Sequence, residues 1–92
     1  MNVLKMNQFG SILTGRDFAK RLMTELVRTL KYPVLLDFSD VISLGSSFGD
    51  EIVPVIAKQQ GGKVVVINAN KAIWECLNQI AEDHHIAVAP SE

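Results

Sequence analysis

Two short apolar runs restrict the fold of this chain more than any other feature. One covers residues 34–36 within PVLLDF, and the other covers residues 64–67 within KVVVINA. An uninterrupted run such as the first is typical of a strand in a parallel sheet that is covered on both faces. The second run contains only β-branched residues, which favour extended backbone. We therefore predict strands over residues 33–38 and 63–69.

Amphipathic helical patterns alternate with these strands. In the first pattern, apolar residues recur at helical spacing from Phe18 to Leu30, and Pro33 ends the segment. Thr14 and Asp17 stand at the spacing of a capping box, which predicts that this helix is capped by Thr14. Two further helices are predicted: one from Ser46 or Ser47 to about Lys58, with a kink or an early break at Pro54, and one from Asn68 or Asn70 to about Asp83.

The order of these elements predicts the fold class. Weaker strand patterns at residues 1–6 and 86–89 complete the order β-α-β-α-β-α-β. This alternation predicts an α/β fold, with a small, mostly parallel β-sheet and helices packed on at least one face. The crossover between the two strongest strands is expected to be right-handed. A chain of 92 residues has the length of one small domain, so we predict a single domain over residues 1–92.

Charge and cysteine content argue against several classes of function. Nine Lys and Arg residues against ten Asp and Glu residues give a formal net charge of −1, which argues against a nucleic-acid-binding protein. Cys76 is the one cysteine, so no intrachain disulfide can form. The sequence shows neither a signal peptide nor an apolar run of the ~20 residues that span a bilayer. These features predict a soluble, cytoplasmic protein that binds no membrane.

The mean hydropathy of +0.20 is somewhat high for a small soluble domain. It indicates that a partner or a second copy covers part of the apolar surface. The sequence does not decide between a monomer and a homodimer, so both remain open.

Residues that often carry chemistry are found on and just after the third predicted helix. His84 and His85 are adjacent, whereas a metal site on a helix favours ligands four residues apart, so we predict solvated histidines and no metal site. Cys76 lies beside the apolar line of the helix and is predicted to be a small core residue. Trp74 is predicted at the edge of the core. Gly61-Gly62 is not a phosphate-binding loop, because it precedes a predicted strand rather than a helix. We therefore predict no cofactor.

Residues 45–49 read GSSFG and match the G-x-S-x-G string that carries the nucleophilic serine of many hydrolases. A small serine hydrolase using Ser47 is therefore the alternative hypothesis. The candidate partners for a triad are Asp83, His84 and His85, and residues adjacent in sequence rarely reach a distant serine in the required geometry. Residues 39–44 also separate Ser47 from the strand that should lead directly into a nucleophile elbow.

The same stretch has the spacing of a helix start. Ser47 and Asp50 match a capping box, in which the serine hydroxyl accepts a hydrogen bond from the backbone N–H of Asp50, and Ser46 is the alternative cap. The carboxylates of Asp50 and Glu51 favour the positive end of a helix. Such a cap contributes about 1 kcal/mol and is compatible with any other role of Ser47.

Several short motifs, in their order and spacing, resemble a known family. LDFSDV at residues 36–41, ISLGSSFGDE at residues 42–51 and TGRDFA at residues 14–19 are similar to the STAS-like domains of unknown function. Those domains show an LDF strand, a short connector and an S-F-x-D-E helix start. The resemblance covers about residues 8–85 and implies a STAS-like α/β fold.

The wider STAS group includes the anti-sigma-factor antagonists of bacteria, and this likeness implies a role for two serines. Those proteins are small cytoplasmic modules without catalytic activity. A histidine-kinase-like ATPase phosphorylates them on a serine in a D-S-S-G stretch at a helix start. By position, Ser47 matches the phosphorylated serine and Ser46 matches the residue before it, whereas Gly45 and Phe48 replace the aspartate and the glycine.

The resemblance thus implies a non-enzymatic regulatory protein-interaction module that needs no cofactor. Its expected partner is a protein, with a histidine-kinase-like ATPase as the specific candidate, and its expected phospho-acceptor is Ser47 or Ser46. The expected partner surface at the start of the second helix comprises Gly45, Ser46, Ser47, Phe48, Gly49, Asp50 and Glu51. A subunit whose apolar surface completes a larger assembly is a third option.

Overall fold

A computed structural model describes residues 1–91 of the chain, and it confirms the predicted α/β class. The helices are α1 (Arg16–Thr29), α2 (Ser46–Lys58) and α3 (Lys71–His84), and a short 3-10 helix covers Met6–Phe9. The strands are β1 (Asn2–Lys5), β2 (Ile12–Leu13), β3 (Val34–Asp37), β4 (Ser43–Leu44), β5 (Lys63–Ile67) and β6 (Ala87–Pro90). Every predicted strand and helix is present within a few residues of its expected bounds, whereas the 3-10 helix, β2 and β4 are not predicted from the sequence.

Four of the strands form one parallel sheet in the order β1-β3-β5-β6. The remaining two, β2 and β4, pair in parallel as a separate two-stranded sheet. The backbone N–H of Gly45 extends this pairing by donating to the carbonyl oxygen of Leu13 at 2.8 Å. The small sheet therefore holds the connector after β3 in place and sets the position at which α2 begins.

The helices cover one face of the main sheet. On that face Leu4, Val34, Leu36, Val64 and Val66 are buried and belong to the same core as the apolar residues of the helices. The alternate positions in β3 and β5 are half-buried, or exposed at Lys63, and lie outside that core. The prediction that β3 is covered on both faces is therefore wrong for residues 1–91. Strand order advances in one direction across the sheet, so connections of one hand place all three helices on the same side.

The ends of the helices agree only in part with the capping patterns. Asn70 caps α3 as predicted, because its side-chain oxygen accepts a hydrogen bond from the backbone N–H of Ile73 at 2.9 Å. The predicted cap at Thr14 is wrong, since α1 begins at Arg16 after Gly15, whose φ of 94° suits glycine. The predicted early break at Pro54 is also wrong. Pro54 is buried, and α2 continues past it to Lys58, which is consistent with a helix held by packing rather than by propensity.

The helix surfaces confirm one further prediction. Trp74 is partly buried and packs against the core, as expected for a residue at its edge. Cys76 is also only partly buried against the core, so the prediction that it is a core residue is wrong. Within residues 1–91, none of the helices is both long enough and apolar enough to cross a membrane.

Candidate functional site

The start of α2 is the place where three helix ends meet. Arg16 is the first residue of α1, and its guanidinium donates to the carboxylate of Glu51 on α2, with a distance of 2.6 Å from Nη1 to Oε1. His84 is the last residue of α3, and its Nε2 lies 3.1 Å from Oδ1 of Asp50 on α2. A third contact, at 3.9 Å, joins Nη2 of Arg16 to Oδ2 of Asp50. Asp50 and Glu51 thus tie the first turns of α2 to both neighbouring helices.

Ser46 and Ser47 lie exposed at this helix start. Gly45 is the N-cap residue, with extended backbone at φ −84° and ψ 146°, and no side chain within residues 1–91 caps the helix. The predicted capping box is therefore wrong, because Ser47 is already the second helical residue, whereas a capping serine must precede the helix. The carboxylate of Asp50 is engaged by Arg16 and His84 instead. Both serine hydroxyls therefore remain accessible from solvent.

Phe48 and Gly49, which belong to the predicted partner surface, are buried beneath it. The Phe48 side chain has no solvent exposure, and its ring lies 5.7 Å from the ring of Phe18 on α1. Gly49 faces α3, and a Cβ atom at this position would overlap Cδ1 of Ile80. In the G-x-S-x-G string, this glycine thus allows α2 to pack closely against Ile80. The residues of the predicted surface that a partner can reach are Gly45, Ser46, Ser47, Asp50 and Glu51.

The close approach at Gly49 gives a stability prediction. Gly49→Ala is expected to lower the free energy of unfolding by about 1 kcal/mol, because overpacking costs about 1–3 kcal/mol while the better helix propensity of alanine offsets about 1 kcal/mol. Urea denaturation measures the change. The same substitution in an Ile80→Val background, which lacks Cδ1, is expected to be neutral or stabilising. Equal effects in the two backgrounds would show that Ile80 is not the obstacle.

The charged contacts around α2 are partly solvated, so they orient side chains more than they stabilise the fold. The side chain of Arg16 is 47% exposed, and those of Asp50, Glu51 and His84 are between 23% and 34% exposed. Ion pairs of this kind contribute roughly 0–1 kcal/mol each.

Burial raises the pKa of the Cys76 thiol, and the nearby Asp50 carboxylate raises it further. Cys76 is therefore held as a neutral thiol, which is a poor nucleophile.

The arrangement of the histidines does not support a serine hydrolase. A nucleophilic serine needs a base within hydrogen-bond reach, and the imidazole of His84 is bonded to Asp50 rather than to Ser47. His85 is exposed and ends α3 in the left-handed conformation, with φ 55°. The prediction that both histidines are simply solvated is wrong for His84. Its contact with Asp50 spans 34 positions in the sequence, so no local pattern could reveal it.

A second polar cluster lies at the carboxyl end of the main sheet. Oδ1 of Asp37 accepts hydrogen bonds from the backbone N–H of Ser39 at 2.9 Å, from its hydroxyl at 2.7 Å, and from Nδ2 of Asn68 at 3.0 Å. The bond from Asn68, followed by those from Ser39, holds the pKa of Asp37 below its usual value. The cluster fixes the turns that follow β3 and β5. Within residues 1–91, no group of three His, Cys, Asp or Glu side chains is placed to hold a metal ion.

Comparison with known proteins assigns the chain to a family. Residues 16–74 match the family model described as a STAS-like domain of unknown function (DUF4325). The matched segment runs from the first residue of α1 through both serines to the first turn of α3, and so it includes Arg16 as well as Asp50 and Glu51. Searches of curated proteins and of solved structures found no significant match. The chain therefore belongs to the family of STAS-like domains of unknown function, as its motifs predict.

Proposed function

We propose that the protein is a non-enzymatic regulatory module that binds a protein partner through the start of α2. Membership of a STAS-like family suggests a regulatory module. The observation that carries the finer proposal is the exposure of Ser46 and Ser47 at a helix start that no side chain caps. Gly45, Asp50 and Glu51 complete the reachable surface around these two hydroxyls.

The groove beside this helix start extends the surface along α2. It lies between α1 and α2, has a volume of about 370 Å³, and is lined by Lys20, Met23, Thr24, Val27, Glu51 and Val55. Val27 and Val55 leave apolar atoms exposed there, while Lys20 and Glu51 supply one charge of each sign. An apolar floor with a charged rim is the composition of a protein-binding surface. Glu51 belongs to both the groove and the helix start, so one partner can contact both.

Phosphorylation of Ser47 is the proposed switch. A helix N-terminus provides backbone N–H groups and partial positive charge, which can hold a phosphate. The phosphoryl group adds about −1.5 to −2 charges. Asp50 and Glu51 follow Ser47 by three and four positions on the same helix face, and Arg16 is already paired with Glu51. The added charge is repelled locally and disfavours a partner that is docked on the unmodified surface.

The proposed kinase is a histidine-kinase-like ATPase, and the proposed acceptor is Ser47, with Ser46 as the neighbouring hydroxyl. Two points support this assignment. Ser47 stands at the position of the phosphorylated serine in the anti-sigma-factor antagonists that the sequence resembles, and its side chain is exposed, as a kinase substrate must be. The motif around it differs at Gly45 and Phe48, so the kinase must recognise a sequence other than D-S-S-G.

Ser47→Asp is expected to weaken partner binding about tenfold or more, which corresponds to about 1.4 kcal/mol, while the fold is retained. The full chain serves as bait in a native lysate, and mass spectrometry of the captured proteins identifies the partner. Titration of the purified partner with wild type, Ser47→Ala and Ser47→Asp then gives the affinities. Intact-mass measurement of the native chain is expected to show an increase of about 80 Da from one phosphoryl group, and fragmentation of its peptides is expected to locate that group on Ser47.

Two controls make this result specific. Ser11→Asp introduces the same charge at another exposed serine, outside the surface, and is expected to bind like the wild type. Circular dichroism of each variant verifies that the fold is retained. Equal affinities for wild type, Ser47→Ala and Ser47→Asp would contradict the switch. Stoichiometric labelling of Ser47 by a serine-reactive fluorophosphonate would instead favour a hydrolase.

A further inference from the structure

The main sheet has a second face that none of the helices covers. The open face consists of the side chains that alternate with the buried ones, at the positions Val3, Lys5, Leu35, Asp37, Lys63, Val65, Ile67, Ala87 and Ala89. Parallel sheets occur almost only with both faces covered, because their strands are built from apolar residues throughout. A parallel sheet that is covered on one side only is therefore unusual, and its apolar open face is a candidate for contact with another molecule. The elements within residues 1–91 do not cover it.

The apolar side chains of the open face form a continuous band. The strand register places Val3 beside Leu35, Leu35 beside Val65, and Val65 beside Ala89, so one apolar row crosses all four strands. Val3 is 49% exposed, and the other three are half-buried by their neighbours in the sheet. Ile67 and Ala87 extend the band along the strands. An apolar centre of this kind is typical of a protein interface.

Three charged residues stand at the two ends of this band. Lys5 and Asp37 are neighbours in the register at the carboxyl end of the strands, beside Ile67. Lys63 lies at the opposite end, as the first residue of β5. All three bonds to Asp37 end on Oδ1, so its other carboxylate oxygen receives none of them. One negative and one positive residue thus occupy opposite ends of adjacent strands.

We propose that the open face is a dimer interface, on which a second copy of this chain stacks face to face about a two-fold axis running across the strands. This axis turns the strands of one copy antiparallel to those of the other. The apolar row then packs against the same row of the second copy, as an isologous interface requires. Lys63 of each copy meets the carboxyl end of the second copy's sheet, beside its Asp37. Two symmetric charge pairs result, with each Asp37 between its own Lys5 and the second copy's Lys63.

The charges select this arrangement over the other two-fold stack. With the axis parallel to the strands, the carboxyl ends of both sheets lie together, and strand order is reversed between the copies. Asp37 then lies over Ile67, and Lys63 finds no carboxylate. Stacked sheets pack about 10 Å apart, a gap that a lysine side chain can bridge to reach a neighbouring strand. Of these two stacks, only the antiparallel one pairs the charges of the open face.

The size of the face predicts a weak dimer. Four strands about 4.8 Å apart, with four or five residues each, cover roughly 250–300 Å² in projection per copy. A standard interface buries about 800 Å² of accessible surface per partner, so this face belongs to the small, weak class, and we expect a dissociation constant on the order of 10–100 μM. Sedimentation velocity on the full chain, at about 5–500 μM, covers this range.

A matched pair of valine substitutions tests the proposal. Val3→Asp places a charge on the open face and is expected to raise the dimer dissociation constant at least tenfold. Val27→Asp places the same charge on α1, at a valine that is 60% exposed, and is expected to leave the constant unchanged. Both valines are exposed, so both variants are expected to fold. A chain that stays monomeric up to 500 μM, or a dimer that Val3→Asp leaves intact, would overturn the proposal.

A second matched pair tests the two-fold arrangement. Lys63→Glu is expected to raise the dissociation constant at least threefold, whereas Lys20→Glu, with the same change of net charge on α1, is expected to leave it unchanged. High salt screens the charge pair, so it is expected to bring the dissociation constants of wild type and Lys63→Glu closer together. A dimer that responds to Val3→Asp but equally to both lysine substitutions would overturn the charge pairing. A monomer that uses the open face to bind a different protein would overturn the homodimer.

Discussion

Phe48→Ala is expected to lower the free energy of unfolding by about 3–5 kcal/mol, the usual cost of removing a fully buried phenylalanine. The Phe48 side chain has no solvent exposure and packs against Phe18 in the interface of α1 with α2. Domains of this size are stable by about 5–15 kcal/mol, so the variant has lost a large part of its stability. Urea denaturation followed by circular dichroism gives the change, and the melting temperature falls with it.

Two further substitutions show that burial of this ring is the cause. Phe18→Ala removes the other ring of the pair, but Phe18 is 36% exposed, so its cost is expected to be about 1–2 kcal/mol. Phe48→Leu keeps much of the volume and is expected to cost less than Phe48→Ala. If Phe48→Ala lowered the free energy of unfolding no more than Phe18→Ala does, Phe48 would not be the core residue that its burial indicates. Phe48→Leu also allows partner binding to be measured on a folded chain.

Most of the fold was open to prediction from local patterns. The β-branched run in β5 and the apolar spacing of the helices are signals that each segment carries by itself, and the alternation of elements follows directly. The one-sided cover of the sheet was not predictable from β3, because Leu35 is as apolar as its buried neighbour Leu36. An open apolar face and a covered apolar face give the same pattern of apolar residues along a strand. Only the strand order shows that all helices lie on one side.

The candidate site was only partly predictable. The exposed serines and the start of α2 follow from the G-S-S stretch, since small polar residues before an apolar helical pattern mark a helix start. The capping prediction failed because Gly45 takes the cap, which leaves Ser47 inside the helix. The contacts of Arg16 with Glu51 and of His84 with Asp50 span 35 and 34 positions. Contacts of that separation are set by tertiary packing and leave no local signal.

The side chain of Gln60 replaces a missing stretch of β-ladder between β3 and β5. Val34 lies one residue before the first β3–β5 pair, Leu35 with Val65, so its backbone N–H has no carbonyl of β5 within the ladder to donate to. Gln60 fills the gap: its Oε1 accepts from the N–H of Val34 at 3.0 Å, and its Nε2 donates to the Val34 carbonyl at 3.1 Å and to the Lys63 carbonyl at 2.8 Å. One amide thus satisfies the start of both central strands.

Gln60→Ala is expected to lower the free energy of unfolding by about 1–3 kcal/mol, because it leaves the backbone N–H of the buried Val34 without a partner. Gln60→Glu keeps the acceptor but loses the donor at neutral pH, so it is also expected to destabilise. Gln59→Ala is the matched control: Gln59 is the adjacent, exposed glutamine, and a change within about 0.5 kcal/mol is expected. Urea denaturation of the three variants, with amide exchange of Val34, measures the effect. Similar losses for Gln59→Ala and Gln60→Ala would mean that the amide of Gln60 does not hold the strands together.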